Sequence, residues 1–148
     1  MAFKSTLGIQ VDRPNHLVPS ATNDPYFTVV GDVLIKGMIG EFTGNPDAAM
    51  VAKWEAHPTA GTVVDICAAS ADLTTCDTGD VISFDGVFAN ALIVAHKGAV
   101  EMMGGTKGVA VTAGTLDFDV AGAVGTAQTA WTLWYIPLTP GAYVVAIP

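Results

Sequence analysis

The stretch "AWTLWYI", residues 130–136, decides how this chain must pack. In a strand, successive side chains point to opposite sides. Trp131, Leu133 and Tyr135 then share one face, and Thr132, Trp134 and Ile136 share the other. Burying one large apolar side chain is worth about 1.5–3 kcal/mol, so neither face is suited to water. The sequence predicts a central strand, or a strand whose second face is covered by another subunit.

Working outward, no charged residue follows Asp119, yet Pro137, Pro140 and Gly141 interrupt the apolar run. A spanning helix needs about 18 or more unbroken apolar residues, so no membrane partner is expected. Thr139-Pro140-Gly141 reads as a turn before a last strand, "AYVVAI". Upstream, "VAVTAGTLDFDV" (109–120) reads as two short strands about Ala113-Gly114. "GTVVDICAA", "DVISFDGVF" and "ALIVAHK" read as further strands. "YFTVVGDVLIKGMIGEFTG" (26–44) is two β-rich runs, with Gly31-Asp32 as a hairpin turn or a bulge.

"NPDAAMVAKWEAHP" (45–58) is ambiguous. Asn45, Pro46 and Asp47 suit a helix start, but Met50, Ala52 and Trp54 alternate with Val51, Lys53 and Glu55 at strand period. The β neighbours favour strand. About eight to ten short strands at 8–12-residue spacing predict one all-β domain, a β-sandwich or β-barrel of jelly-roll or β-tulip kind. Pro14, Pro19 and Pro25 set residues 1–25 apart as an extended N-terminal arm, and residues 26–148 form the β domain.

Composition narrows the class of function. The 148 residues are 51 % hydrophobic and only 14 % charged, against roughly 25 % charged in an average domain. The surplus apolar surface needs a core or a protein neighbour. A net charge of −8, from 14 acids and 6 bases, repels phosphate backbones, so nucleic acid is not an expected partner. The opening residues contain no apolar core of a signal peptide.

No nucleophile elbow, zinc-protease motif or phosphate loop occurs. His16, His57 and His96 have no second ligand two or four residues on. Asp65, Asp72, Asp77, Asp80 and Asp85 crowd one region, but without the spacing or terminal glutamate of a calcium loop. No catalytic group, metal or cofactor is expected. Cys67 and Cys76 are spaced for a small disulfide loop, while cytosolic synthesis argues for free thiols. Trp54, Trp131 and Trp134 suit either a core or the exposed platform of a carbohydrate-binding sandwich.

Four segments resemble small structural proteins of tailed bacteriophages, in the class of head decoration or cement proteins: residues 26–44 quoted above, "HPTAGTVVDICAA", "TAGTLDFDV" and "WTLWYIPLTPGAYV". The resemblance covers about residues 26–145 and departs at Gln128-Thr129-Ala130, where a lysine often precedes the tryptophan, and at "LTPGA", where the turn is often acidic. It implies a non-enzymatic virion component, made in the host cytoplasm, that binds the major capsid protein on the head surface. A homotrimer is the expected form. Phe3, Leu7, Ile9, Val11 and Leu17 of the arm, with Trp131, Trp134 and Ile136, are the expected capsid or subunit contacts. The alternative is a tail or fibre module that binds host glycans.

Overall fold

The computed structural model describes residues 7–18, 23–96, 98–100, 107–122 and 125–148. They form eleven strands and no helix: β1 (Ile9–Leu17), β2 (Asn23–Val30), β3 (Val33–Gly44), β4 (Met50–Pro58), β5 (Val64–Asp65), β6 (Val81–Ser83), β7 (Ile93–Ala95), β8 (Val109–Val111), β9 (Gly114–Gly122), β10 (Gln128–Pro137) and β11 (Tyr143–Ala146). The first sheet has the order β1-β10-β3-β6-β7, with β8 sharing the edge of β3 taken further along by β6. The second has the order β11-β2-β9-β4-β5. Every pairing between these strands is antiparallel, and one isolated bridge, Ala68–Ala91, is parallel. The architecture is a sandwich and not a closed barrel.

β10 lies between β1 and β3, a central strand as its two-faced apolarity requires. β4 is a strand with Met50, Ala52 and Trp54 buried, so the alternation in that segment outweighs its helix-start residues. Packing an aromatic core outweighs the local preference of three residues.

Gly31-Asp32, read as a hairpin turn or a bulge, does not form a hairpin. β2 and β3 lie in different sheets, and so do β8 and β9, and β10 and β11. In the first sheet the neighbours run β10-β3-β8, and in the second β11-β2-β9. Three antiparallel ribbons therefore bend together from one layer into the other. Both halves of each ribbon carry inward apolar residues, so the chain turns a corner round one core instead of folding back. At the corner, Gly31 has φ 70°, and a β-carbon there would meet Ala142 Cβ and Thr139 Oγ1 at 2.8 Å. The Asp32 carbonyl accepts from Leu138 N–H at 2.8 Å, and Asp32 N–H donates to Thr139 Oγ1 at 3.1 Å.

The arm expectation is corrected for residues 9–17, which form β1 against β10. The expected boundary at residue 25 falls inside β2. Pro14 is accommodated because β1 is an edge strand and slips register there. Arg13 faces Trp131 and His16 faces Thr129, so Pro14 and Asn15 oppose Ala130 as a bulge.

The core joins Tyr26, Phe27, Phe42, Trp54, Phe118 and Trp131, all at most 2 % exposed. Trp54 meets Trp131 edge-on, at 4.8 Å between centroids and 90°, and lies 5.0 Å from Phe118. Beside β4, an irregular segment replaces a neighbouring strand. Ile66, Ser70 and Leu73 amides donate to the carbonyls of Trp54, Ala52 and Met50. In return the β4 amides donate to Cys67 Sγ, Ser70 Oγ and Asp72 Oδ1. Polar side chains thus cap an edge that would otherwise invite strand addition.

Candidate contact surfaces

Alternation along β3 and β10 gives the first sheet an outer face with few charges. Its side chains include Leu34, Ile39, Thr132, Trp134 and Ile136, and Trp134 is half-buried while Ile136 is 38 % exposed. Cross-strand partners bring Ile136 beside Leu34, and Thr132 beside Ile39. A shallow groove of about 160 Å³ crosses this face between Ile39, Glu41, Val81, Ala130 and Thr132. Its charged side chains are Asp12, which accepts from Thr132 Oγ1 at 2.8 Å, exposed Glu41, and Lys36, which donates to the Lys107 carbonyl.

The outer face of the second sheet is the reverse. Lys53, Glu55 and His57 alternate outward on β4, and Asp117 and Asp119 do so on β9. Lys53 Nζ lies 2.9 Å from Glu55 Oε1 and 2.9 Å from Asp65 Oδ1, and 3.6 Å from Asp119 Oδ2. His57 Nε2 lies 2.9 Å from Glu55 Oε2 and 3.6 Å from Asp117 Oδ2. Asn23 Nδ2 donates to Glu55 Oε2 at 2.7 Å. Burial pushes the Glu55 carboxyl up, but hydrogen bonds from Lys53 and His57 and the Lys53 charge outweigh it and hold the group down at about 2. Hydrogen bonds to Glu55 and Asp65 raise Lys53 above its ordinary value. One network thereby staples β2, β9, β4 and β5.

A third feature is an uncharged cleft of about 250 Å³ beside the β8–β9 corner, where Ala56, Val64 and Ile66 face Phe88, Ala110 and Val111. Val63, Val64 and Phe88 are 51 %, 41 % and 48 % exposed at or beside it.

The expected contact residues separate. Trp131 is 2 % exposed and belongs to the chain's own core, so it is corrected from contact residue to core residue. Val11 packs partly against that core. Leu7 is half-buried, while Ile9 and Leu17 are 49 % and 53 % exposed at the two ends of β1. Trp134 and Ile136 lie on the outer face of the first sheet. Phe3 lies outside the described residues.

The acids once grouped by sequence are dispersed into local duties. Asp72 accepts from Met50 and Thr74 amides. Asp80 accepts from Asp77 N–H and lies 2.9 Å from His96 Nδ1. Asp85 accepts from Val87 N–H and Asn90 Nδ2. Among the described residues no three His, Cys, Asp or Glu side chains are grouped to hold a metal ion. Cys67 and Cys76 are free and buried. Sequence reasoning missed the Lys53–Glu55–His57 network, although the Lys-x-Glu-x-His and Asp-x-Asp alternations were visible; the register joining them was not.

Comparison of the chain with protein-family models, curated proteins and solved structures finds no match.

Proposed function

We propose that this chain is a non-enzymatic virion structural protein of the head decoration or cement class. It binds the major capsid protein on the outer surface of the assembled head, as a homotrimer. The observation that carries the reading is the inequality of the two outer faces. A cement protein needs one face poor in charge to lie against the lattice and another that water and neighbouring copies tolerate. Trp134, Ile136 and Ile39 supply the first, and the Lys53–Glu55–Asp117 network supplies the second. The resemblance of residues 26–44 and 131–144 to decoration proteins supports the same reading. Many modest contacts on a closed shell act together, and whatever binds the lattice but not free subunits favours assembly.

The glycan-binding alternative needs an exposed aromatic platform. Two of the three indoles, Trp54 and Trp131, are committed to the core.

The test is a reconstruction of the intact particle, with a binding assay on undecorated heads. Density on the head surface with Trp134 turned towards the capsid is expected, and Trp134→Asp with Ile136→Asp should abolish binding while the protein stays folded. Density confined to the tail, or unchanged binding by that folded variant, overturns the reading. A specific glycan-array signal would favour the alternative.

A further inference from the structure

The buried side-chain polar atoms that find no hydrogen-bond partner among the described residues fall in one place. They are Arg13 Nε, Trp54 Nε1 and Trp131 Nε1, while Asp24 Oδ2 has the His16 imidazole at 3.2 Å and the Tyr26 hydroxyl has Thr129 beside it. Arg13 carries its guanidinium 3.7 Å above the Tyr26 ring and reaches Asp24 only at 4.0 Å. Tyr26 adjoins Trp54, and Trp54 adjoins Trp131. Trp131 and Thr129 are the cross-strand partners of Arg13 and His16. The cluster is continuous and lies beneath β1.

Buried polar atoms without partners lose their hydration and gain nothing in exchange. β1 offsets this through His16, 3.2 Å from Asp24 Oδ2, but with little apolar burial. Of its nine residues only Arg13 is buried, Val11 is partly packed on the core, and both Ile9 and Leu17 are about half exposed. Its ladder is broken by the bulge at Pro14 and Asn15. Lifting β1 would hydrate the guanidinium and expose few apolar groups of its own.

We propose that β1 is an exchangeable strand, which leaves its own β10 and completes the β10 edge of a second copy of this chain. The occupant follows from the pattern β10 presents. Val11 faces Leu133, Asp12 Oδ1 accepts from Thr132 Oγ1 at 2.8 Å, and Asn15 Nδ2 donates to Gln128 Oε1 at 2.8 Å. A second β1 reproduces every one of these contacts, so exchange conserves the interface while linking two chains.

The test uses purified full-length protein, without capsids, so its failure leaves the capsid reading standing. Chains carrying Asp12→Cys are co-refolded with chains carrying Thr132→Cys and mildly oxidised. Only a strand shared between copies brings these two thiols face to face. The double variant Asp12→Cys/Thr132→Cys reports whether the pair can close, and Asp12→Cys mixed with Thr78→Cys gives the background. Hydrogen exchange on the unmodified protein supplies an independent reading. The expected result is disulfide-linked heterodimer well above background, with β1 amides exchanging at least ~tenfold faster than those between β10 and β3. Heterodimer no more abundant than background, or β1 amides as protected as those of β10 and β3, overturns the proposal.

Discussion

Gly40 on β3 lies directly opposite Trp131 on β10, and the indole occupies the space that a β-carbon at position 40 would need. Such a carbon would sit 2.6 Å from Trp131 Cε2. The absence of one methyl group therefore sets where the central indole rests, and through it Trp54 and Phe118.

Gly40→Ala should destabilise the fold by about 1–3 kcal/mol through overpacking. Urea unfolding followed by tryptophan fluorescence checks this, with a lowered midpoint and an unchanged slope expected. A midpoint equal to that of the parent would show that the indole can move aside at no cost.

The two tryptophans of β10 should respond oppositely. Trp131→Ala empties a core position and should cost about 3–5 kcal/mol. Trp134→Ala removes a half-buried ring on the outer face and should cost about 1 kcal/mol or less. Calorimetry on both variants decides the matter, and equal losses would refute the division between core and contact face.

Glu55 makes stability depend on acid. Its folded value, about 2, lies below its ordinary value of 4.5. A depressed carboxylate stabilises the fold above its unfolded pKa, and that contribution is lost as pH falls through the window from 4.5 towards the folded value. Glu55→Gln should therefore lose roughly 2 kcal/mol less than the parent on acidification from about pH 5 to about pH 2. Unfolding curves across that range measure the difference, and parallel losses in the two proteins would count against the network.

Burial pushes both the Cys67 and the Cys76 thiol up to about 11 from 9.0. Because the thiolate is the reactive form, native alkylation at mildly alkaline pH should be about a hundredfold slower than in the unfolded chain. Mass spectrometry after unfolding without reductant should find two alkylated cysteines; a species lacking both would reveal a disulfide between them.

The strand content and the central place of β10 were legible because both depend on local alternation. Trp131 with Leu133, against Trp134 with Ile136, carries its own geometry in the order of side chains. Where the ribbons go after each turn was not legible. Gly31-Asp32 reads the same whether the next strand returns beside β2 or crosses to the other sheet, and only the distant Thr139 and Ala142 decide it. The scarcity of charge suggested surface completed by neighbours, yet part of that surplus, Trp54 and Trp131, fills the chain's own interior. Pro14, one of the prolines that suggested a detached arm, is tolerated at an edge, where a missing N–H and a bulge disturb no neighbour. The contact surfaces were half legible for a similar reason: β10 announces Trp134, but joining Lys53 to Asp119 and Glu55 to Asp117 requires a pairing between distant segments.

The shared corner also governs how this molecule yields under load. Three backbone ribbons cross there side by side, so the two layers are bound like the covers of a book along a covalent spine. A pull that parts them is resisted at the opposite end too, where residues 45–49 carry the chain from β3 in one layer to β4 in the other. Tied by its own backbone at both ends, the sandwich is a clamp and not a hinge.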